Sequence, residues 1–344
     1  MSHSSGRDQA AIDWLSFHGI GHIGVMLFFV LSGYLLSMPI TSGKQFDFQT
    51  YILRRFLRIA PLYYLVITST YLYQQYTNHI SDSYLHINDG LHGFIKHVFF
   101  IKGDSLFWTI SAEFIFYLIL PVLAIYLIKQ RYKAVFVLVI ASASYSFYHF
   151  LIYANILHFP GLKIVDINHV SQFFDVFIVG VIFGFLSHDN SAKSFYRRYS
   201  RILDVLALNV FIATMLITFI LISKHFLVFD QPLYLCRFIS FGYASSFGFI
   251  LLSTHYGNIK LRKIFQLKIF MFCGVVGYSW YLLHFPVLAF TSGLSFPPPV
   301  KLLVSTALIS IISLAGYLYI EEPFIKLGKS LTLKSLTKTC TRKK

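Results

Sequence analysis

The chain has 344 residues, of which 56% are hydrophobic and only 12% are charged, and its mean hydropathy is +0.65. An average soluble domain carries about 25% charged residues, so this composition excludes an ordinary soluble protein and predicts an integral membrane protein. A net charge of +15 in a soluble protein would suggest a nucleic-acid partner. Here the basic residues lie between long apolar runs, so membrane topology accounts for them and no nucleic acid is expected.

Apolar segments of about 20 residues recur along the chain, which is the length that crosses about 30 Å of hydrocarbon as a helix. They predict an all-α fold: a polytopic transmembrane helix bundle of about nine membrane spans, with the lipid bilayer as its surroundings. The predicted spans are 20–39, 57–76, 107–128, 132–153, 170–187, 202–222, 234–254, 269–290 and 301–320.

The basic residues predict the orientation of these spans. Most of the 29 Lys and Arg residues lie in every second connection or in the C-terminal tail. The positive-inside rule assigns these connections to the cytoplasm, so we expect a multi-pass protein of the cytoplasmic membrane with its N-terminus outside and its C-terminus inside. The chain then divides into a polar extracytoplasmic segment (1–19), a transmembrane domain (20–325) and a basic cytoplasmic tail (326–344).

The first polar cluster within this apolar chain is formed by Arg54, Arg55 and Arg58, whose spacing allows them to share one helical face. They lie at the predicted cytoplasmic end of a span. Guanidinium groups bind phosphate oxygens in a bidentate way, so a phosphorylated cytosolic ligand such as a coenzyme A thioester would suit this cluster. Plain anchoring under the positive-inside rule is the alternative and needs no ligand.

Two further polar residues, Glu113 and His284, lie within predicted spans near their outer ends. Ionisable residues inside a membrane are costly and are candidate functional residues. Glu113 could orient a catalytic group or act as a general base, or it could make a structural hydrogen bond within the bundle. His284 could accept and donate protons near neutral pH, or it could join two helices by a hydrogen bond.

Other titratable residues favour structural roles. Glu321 and Glu322 close the last predicted span, and we expect them to form a salt link with basic residues there. Histidines at the predicted outer face, including His86, His92 and His97, match no usual metal-ligand spacing. No metal site is therefore predicted, and the 3 widely spaced cysteines indicate neither a disulfide framework nor a zinc site.

Several short blocks, taken together and in this order, resemble the acyltransferase 3 family of membrane O-acyltransferases. The blocks are Phe-Phe-x-x-Ser-Gly-Tyr within 23–36, Arg-Arg-x-x-Arg-x-x-Pro at 54–61, Trp-Thr-x-x-x-Glu at 108–113, Tyr-Ser-x-Tyr-Leu-x-His-x-Pro at 278–286 and Glu-x-Pro-Phe at 321–324. The resemblance covers residues 20–330.

The resemblance implies an enzyme that transfers an acyl group, usually acetyl, from cytoplasmic acyl-CoA to a hydroxyl of a cell-surface or extracytoplasmic carbohydrate. The donor substrate would be acetyl-CoA in the commonest case, and no metal would take part. The resemblance also implies roles for single residues: the arginine cluster would hold the phosphates of the donor, and Ser32, Glu113 and His284 would lie on the reaction path.

One departure concerns the general base. The family core has ten spans, and the first of them carries Arg-x10-His, whose histidine is thought to be the base. Arg7 and His18 have this spacing, but the residues between them are too polar for a span. We interpret 1–19 as part of an outer loop, with the first helix missing from this chain. If the chain is nevertheless complete, His18 or His284 would have to serve as the base. A non-enzymatic protein, either a carrier of a lipid-linked sugar or an inactive truncated relative, is the alternative.

Overall fold

The computed structural model describes residues 20–42, 46–77, 85–153, 173–223, 233–256 and 259–341. Within these ranges the regular structure is helical, without β-strands. Five helical stretches are long and apolar enough to cross a membrane, and shorter apolar helices accompany them. The predicted all-α membrane helix bundle is therefore confirmed. The five stretches are Ile23–Thr41, Ser105–Gln130, Asn190–Ile217, Lys268–Ser292 and Pro299–Leu331.

Every one of the predicted spans overlaps a helix. The helices are α1 (Ile20–Thr41), α2 (Phe48–Thr77), α3 (Gly90–Val98), α4 (Trp108–Gln130), α5 (Tyr132–Tyr153), α6 (Phe174–Leu186), α7 (Asn190–Ser223), α8 (Leu233–Tyr256), α9 (Ile259–Phe265), α10 (Lys268–Ser292), α11 (Pro298–Gly316) and α12 (Glu322–Thr341). A 3-10 turn (Ser105–Phe107) precedes α4, and a π-helical turn (Tyr317–Glu321) joins α11 to α12.

Several helices differ in extent from the predicted spans. α7 begins at Asn190, well before the predicted start at residue 202, and it is kinked at Tyr199. α2 begins at Phe48, well before the predicted start at residue 57, because the arginines that end the apolar run are themselves good helix formers. α6 has only 13 residues and is about 20 Å long, shorter than the hydrocarbon core. Its residues from Asp175 to Phe185 are all buried, so protein rather than lipid surrounds it.

The helices form two compact units. The first unit takes the described residues of 1–45 and 119–263, and at its centre α1 packs on α6. Glycine makes this approach possible, because a Cβ atom at Gly33 would lie 2.5 Å from the carbonyl oxygen of Phe177 and 3.1 Å from the Cα atom of Gly180. Small residues bring helix backbones together in membrane proteins in this way. The glycine of the first sequence block is thus a packing residue.

The second unit takes the described residues of 46–118 and 264–344. In it α2 packs against α12 and the π-helical turn, and α10 packs against α11. Tyr278 on α10 donates a hydrogen bond to the carbonyl oxygen of Ile59 on α2, at 2.8 Å. That carbonyl lies two residues before Pro61, inside the continuous helix α2. The second unit therefore contains most of the polar blocks that the sequence singles out.

Within the second unit, a buried histidine organises the segment that leads into α4. His97 is fully buried. Its Nδ1 lies 2.8 Å from the carbonyl oxygen of Gly93, and its Nε2 accepts the backbone N–H of Asp104 at 2.9 Å. An amide can only donate, so Nε2 is unprotonated and Nδ1 carries the proton. Burial lowers the pKa of His97, which favours this neutral form.

Candidate active site

The predicted arginine cluster lies on the first turns of α2. Arg54 and Arg58 are exposed, whereas Arg55 is partly buried. Arg55 Nε and the hydroxyl of Tyr51, one helical turn away, are both buried, and within the described ranges neither has a hydrogen-bond partner. Buried polar groups usually have partners. This pair therefore marks a place where a ligand with acceptor oxygens would be accommodated.

Glu113 lies on α4 within the second unit and is only 2% exposed. Tyr117, one turn further along the same helix, donates its hydroxyl hydrogen to Glu113 Oε1. Arg55 acts electrostatically on both of these side chains, and Arg58 acts on Tyr117. A buried carboxylate needs compensating charge. The structure thus places Glu113 within electrostatic range of Arg55.

The Trp-Thr-x-x-x-Glu block and the Tyr-Ser-x-Tyr-Leu-x-His block meet through two hydroxyl groups. Thr109 Oγ1 lies 2.9 Å from the hydroxyl oxygen of Tyr281. That tyrosine also donates to the carbonyl oxygen of Leu106 in the 3-10 turn, at 3.2 Å. The start of α4 and the middle of α10 are therefore joined at this point. Glu113 lies one helical turn after Thr109 on α4, and His284 lies about one turn after Tyr281 on α10.

His284 lies on α10 and is partly exposed. Its Nδ1 makes a short hydrogen bond with the carbonyl oxygen of Tyr281, and its ring stacks on Phe285 with centroids 4.4 Å apart. A carbonyl oxygen can only accept, so Nδ1 carries the hydrogen. In the neutral ring the lone pair is then on Nε2. His284 can therefore act as a base through that atom.

The closing Glu-x-Pro-Phe block begins in the π-helical turn. Glu321 is 2% exposed and accepts the hydroxyl of Ser279 through Oε1, and Arg58 acts on it electrostatically. Glu322 forms an ion pair with Lys326 at 2.9 Å. The expected salt link thus applies to Glu322, whereas Glu321 joins the polar interior. π-helical turns are often found at functional sites.

The other two predicted site residues are Ser32 and His18. Ser32 is a buried residue of α1, in the first unit. His18 lies outside the described residues. Their catalytic roles therefore remain predictions.

Sequence analysis missed two residues of the site, Tyr51 and Tyr117. Each lies four residues from a predicted site residue, Arg55 or Glu113, and so shares its helical face. That spacing is the signal that could have identified them. Across the described ranges, no group of three or more His, Cys, Asp or Glu side chains could hold a metal ion.

Comparisons with known proteins identify a family model and several relatives. A family model described as an acyltransferase domain matches residues 1–321. A protein of Staphylococcus aureus (strain MRSA252) named "Putative O-acetyltransferase" is 25% identical, over 92% of this chain and 54% of its own length. The "Peptidoglycan O-acetyltransferase" of Listeria monocytogenes is 24% identical, over 90% of this chain and 52% of its own length. The chain thus spans about half the length of these curated relatives. No solved structure matches it.

Proposed function

The chain belongs to the acyltransferase 3 family, and we propose that it moves an acyl group, usually acetyl, from cytoplasmic acyl-CoA to a hydroxyl of a cell-surface or extracytoplasmic carbohydrate. The observation that carries this proposal is the cluster in the second unit, where Arg55 acts electrostatically on Glu113 and keeps a buried Nε without a partner in the described ranges. A phosphorylated donor would supply the acceptor oxygens that Nε lacks.

The donor would be held at the start of α2. Arg55 and Arg58 would bind phosphate oxygens, and the hydroxyl of Tyr51 would donate a further hydrogen bond beside Arg55. Arg54, which is exposed, would contribute from the rim. Holding the thioester in place in this way lowers the barrier by positioning the reacting groups.

The transfer would use His284 as the general base. The hydroxyl oxygen of the acceptor attacks the thioester carbonyl carbon, and Nε2 of His284 takes the hydroxyl proton. The C–S bond breaks, and the coenzyme A thiolate leaves and takes up a proton. The acyl group is then an ester of the carbohydrate. Glu113 would hold Tyr117 beside the donor, while Ser32 and His18 remain alternative members of the path.

The proposal includes the orientation of the chain. The connections rich in Lys and Arg would lie in the cytoplasm, with residues 1–19 outside, residues 20–325 forming the transmembrane domain and the basic tail 326–344 inside. The arginine end of α2 would then face the cytoplasmic pool of acyl-CoA. The protein would lie in the cytoplasmic membrane, and reporter fusions to residues 1 and 344 would test its orientation.

The test is transfer of labelled acetyl from acetyl-CoA to glycan, in membranes that contain the full chain. His284→Gln is compared with His92→Gln, since His92 is exposed on α3. Loss of a general base typically costs about 10²–10⁴-fold in rate, so transfer should fall by that factor in the first variant and remain in the second.

A second pair of variants tests the donor site. Arg55→Gln should raise the KM for acetyl-CoA, whereas Arg201→Gln, at an exposed position on α7, should not. Transfer that survives His284→Gln but disappears in His18→Gln would move the base to the N-terminal segment. No transfer by the folded unmutated chain, with a suitable glycan present, would contradict the enzymatic proposal and favour the non-enzymatic carrier or inactive relative.

A further inference from the structure

The first unit contains an apolar groove that the proposed reaction does not use. Its volume is about 730 Å³, and α5, α6, α7 and α8 line it. Along α8 the lining runs from Phe241 to Leu252, a rise of about 16 Å, which is roughly half the thickness of the hydrocarbon core. Two lining side chains remain partly open to the surroundings, since Phe195 is 57% and Val139 is 39% exposed. In a bilayer those surroundings are lipid chains.

One end of the groove is basic. Leu186 and Leu252 line the groove, and His188 and His255 follow them by two and three residues. The rings of these two histidines have centroids 6.0 Å apart. Lys193 directly follows a lining residue of α7. Arg262 acts electrostatically on His255. Four side chains therefore form what we call the basic end of the groove: His188, Lys193, His255 and Arg262.

The charges at this end act on one another. Burial lowers the pKa of His255, and the neighbouring charges of His188, Lys193 and Arg262 lower it further. Within the described ranges, neither Lys193 nor Arg262 belongs to an ion pair. Lys193 and Arg262 therefore give this end of the groove a positive potential, and the neutral ring of His255 adds an N–H donor for an anion.

Two carboxylates, Asp189 and Asp204, lie near this end, and other groups already bind both of them. Asp204 accepts the hydroxyl groups of Tyr196 and Ser253. Arg131 Nη2 lies 2.8 Å from Asp189 Oδ1. The hydroxyl of Tyr132 donates to Oδ2, and the backbone N–H groups of Ser191 and Ala192 donate to the same oxygen at 3.0 Å each. These bonds hold the pKa of Asp189 below its usual range, against the effect of burial. The Asp189 carboxylate therefore stabilises the turn before α7.

We propose that the groove binds an acyl chain of an anionic phospholipid from the cytoplasmic leaflet, and that Lys193, His255 and Arg262 hold its phosphate headgroup. The apolar walls match the chain, and the basic end matches the anion. The inference rests on the orientation proposed above, since the basic end must lie at the inner leaflet. It does not depend on the transfer reaction.

The test measures lipid binding to the purified full chain in detergent by native mass spectrometry. Phosphatidylglycerol and phosphatidylcholine with the same acyl chains are added separately. A basic residue near an anionic headgroup strengthens binding about fivefold. The unmutated chain should therefore prefer phosphatidylglycerol by roughly tenfold or more, and the double variant Lys193→Gln/Arg262→Gln should lose most of that preference.

Two further variants separate the headgroup site from the groove. Lys129→Gln/Lys268→Gln removes the same charge from exposed positions on other connections and should keep the preference. Ser245→Trp fills the groove and should weaken the binding of both lipids there. Lipid bound elsewhere on the protein surface should keep its ratio of phosphatidylglycerol to phosphatidylcholine. The charge variants keep the proposal testable if the tryptophan variant does not fold.

Several outcomes would overturn the proposal. Equal binding of the two lipids by the unmutated chain would mean that bulk lipid fills the groove. An unchanged preference in Lys193→Gln/Arg262→Gln, or full binding in a folded Ser245→Trp variant, would place the lipid elsewhere. Displacement of phosphatidylglycerol by equimolar palmitoyl-CoA or by inorganic phosphate would identify another occupant. The assay contains no acyl donor or acceptor, so its failure is distinguishable from a failure of the transfer proposal.

Discussion

Replacing Gly33 by alanine is expected to weaken the packing of α1 on α6. The new Cβ atom would lie 2.5 Å from the carbonyl oxygen of Phe177, whereas ordinary van der Waals contact begins at 3.4 Å. The obstacle is backbone and cannot rotate away, so the two helices must separate by about 1 Å. Forcing extra volume into a packed interior typically costs about 1–3 kcal/mol.

The assay is thermal unfolding of the purified protein in detergent, and Gly24→Ala is the matched control. Gly24 lies on the same helix, and a Cβ atom there would meet nothing within 4 Å. Alanine raises helix propensity by up to about 1 kcal/mol at either position, so the difference between the two variants measures the steric cost alone. Gly33→Ala should be less stable than Gly24→Ala by about 1–3 kcal/mol. Equal unfolding midpoints would refute the close packing of α1 on α6.

Other predictions concern the site and the segment before it. Tyr51→Phe should raise the KM for acetyl-CoA about tenfold or more with little change in kcat, because a hydrogen bond to a charged group contributes about 1.5–3 kcal/mol; an unchanged KM would place the donor elsewhere. The double variant Thr109→Val/Tyr281→Phe should be destabilised by less than the sum of the two single variants. Simple additivity of the free energies of unfolding would contradict the contact between the two hydroxyl groups. The pKa of His97 is lower in the folded state, so its contribution to stability is present above about pH 6.5 and is lost as the pH falls through the folded value. Amide exchange at Asp104, corrected for its intrinsic rate, should therefore accelerate at acidic pH, and protection that does not change with pH would argue against the buried neutral imidazole.

Hydropathy predicts most of the fold, because a helix in lipid must be apolar over a known length. The predicted helix bounds were inaccurate where the thickness of the bilayer does not set the length of the helix. α6 is buried among its neighbours and does not need the full length, whereas α2 continues past the apolar run through Arg54, Arg55 and Arg58. Long basic side chains can reach the interface from within a helix, so charge at the end of a run does not end the helix.

Some contacts of the candidate site can be predicted from spacing within one helix, and others cannot. Local spacing is enough to place Tyr51 with Arg55, and Tyr117 with Glu113, since each pair is one helical turn apart. The contact between Thr109 and Tyr281 joins residues 172 positions apart. No periodicity within one helix can predict it, so only the resemblance to a family suggested that the two blocks act together, and the structure supplies the contact.

Two histidines show why chemistry depends on backbone partners as well as on residue type. In the sequence both His97 and His284 belong to the predicted outer half of the molecule. His97 uses Nδ1 to donate to one backbone group and Nε2 to accept from another, so protonation of Nε2 would break the hydrogen bond from Asp104. His284 donates through Nδ1 to the carbonyl of Tyr281, and that bond keeps the proton-accepting lone pair on Nε2. Taking a proton thus disrupts the first site and leaves the known hydrogen bond of the second intact, which favours His284 over His97 as the base.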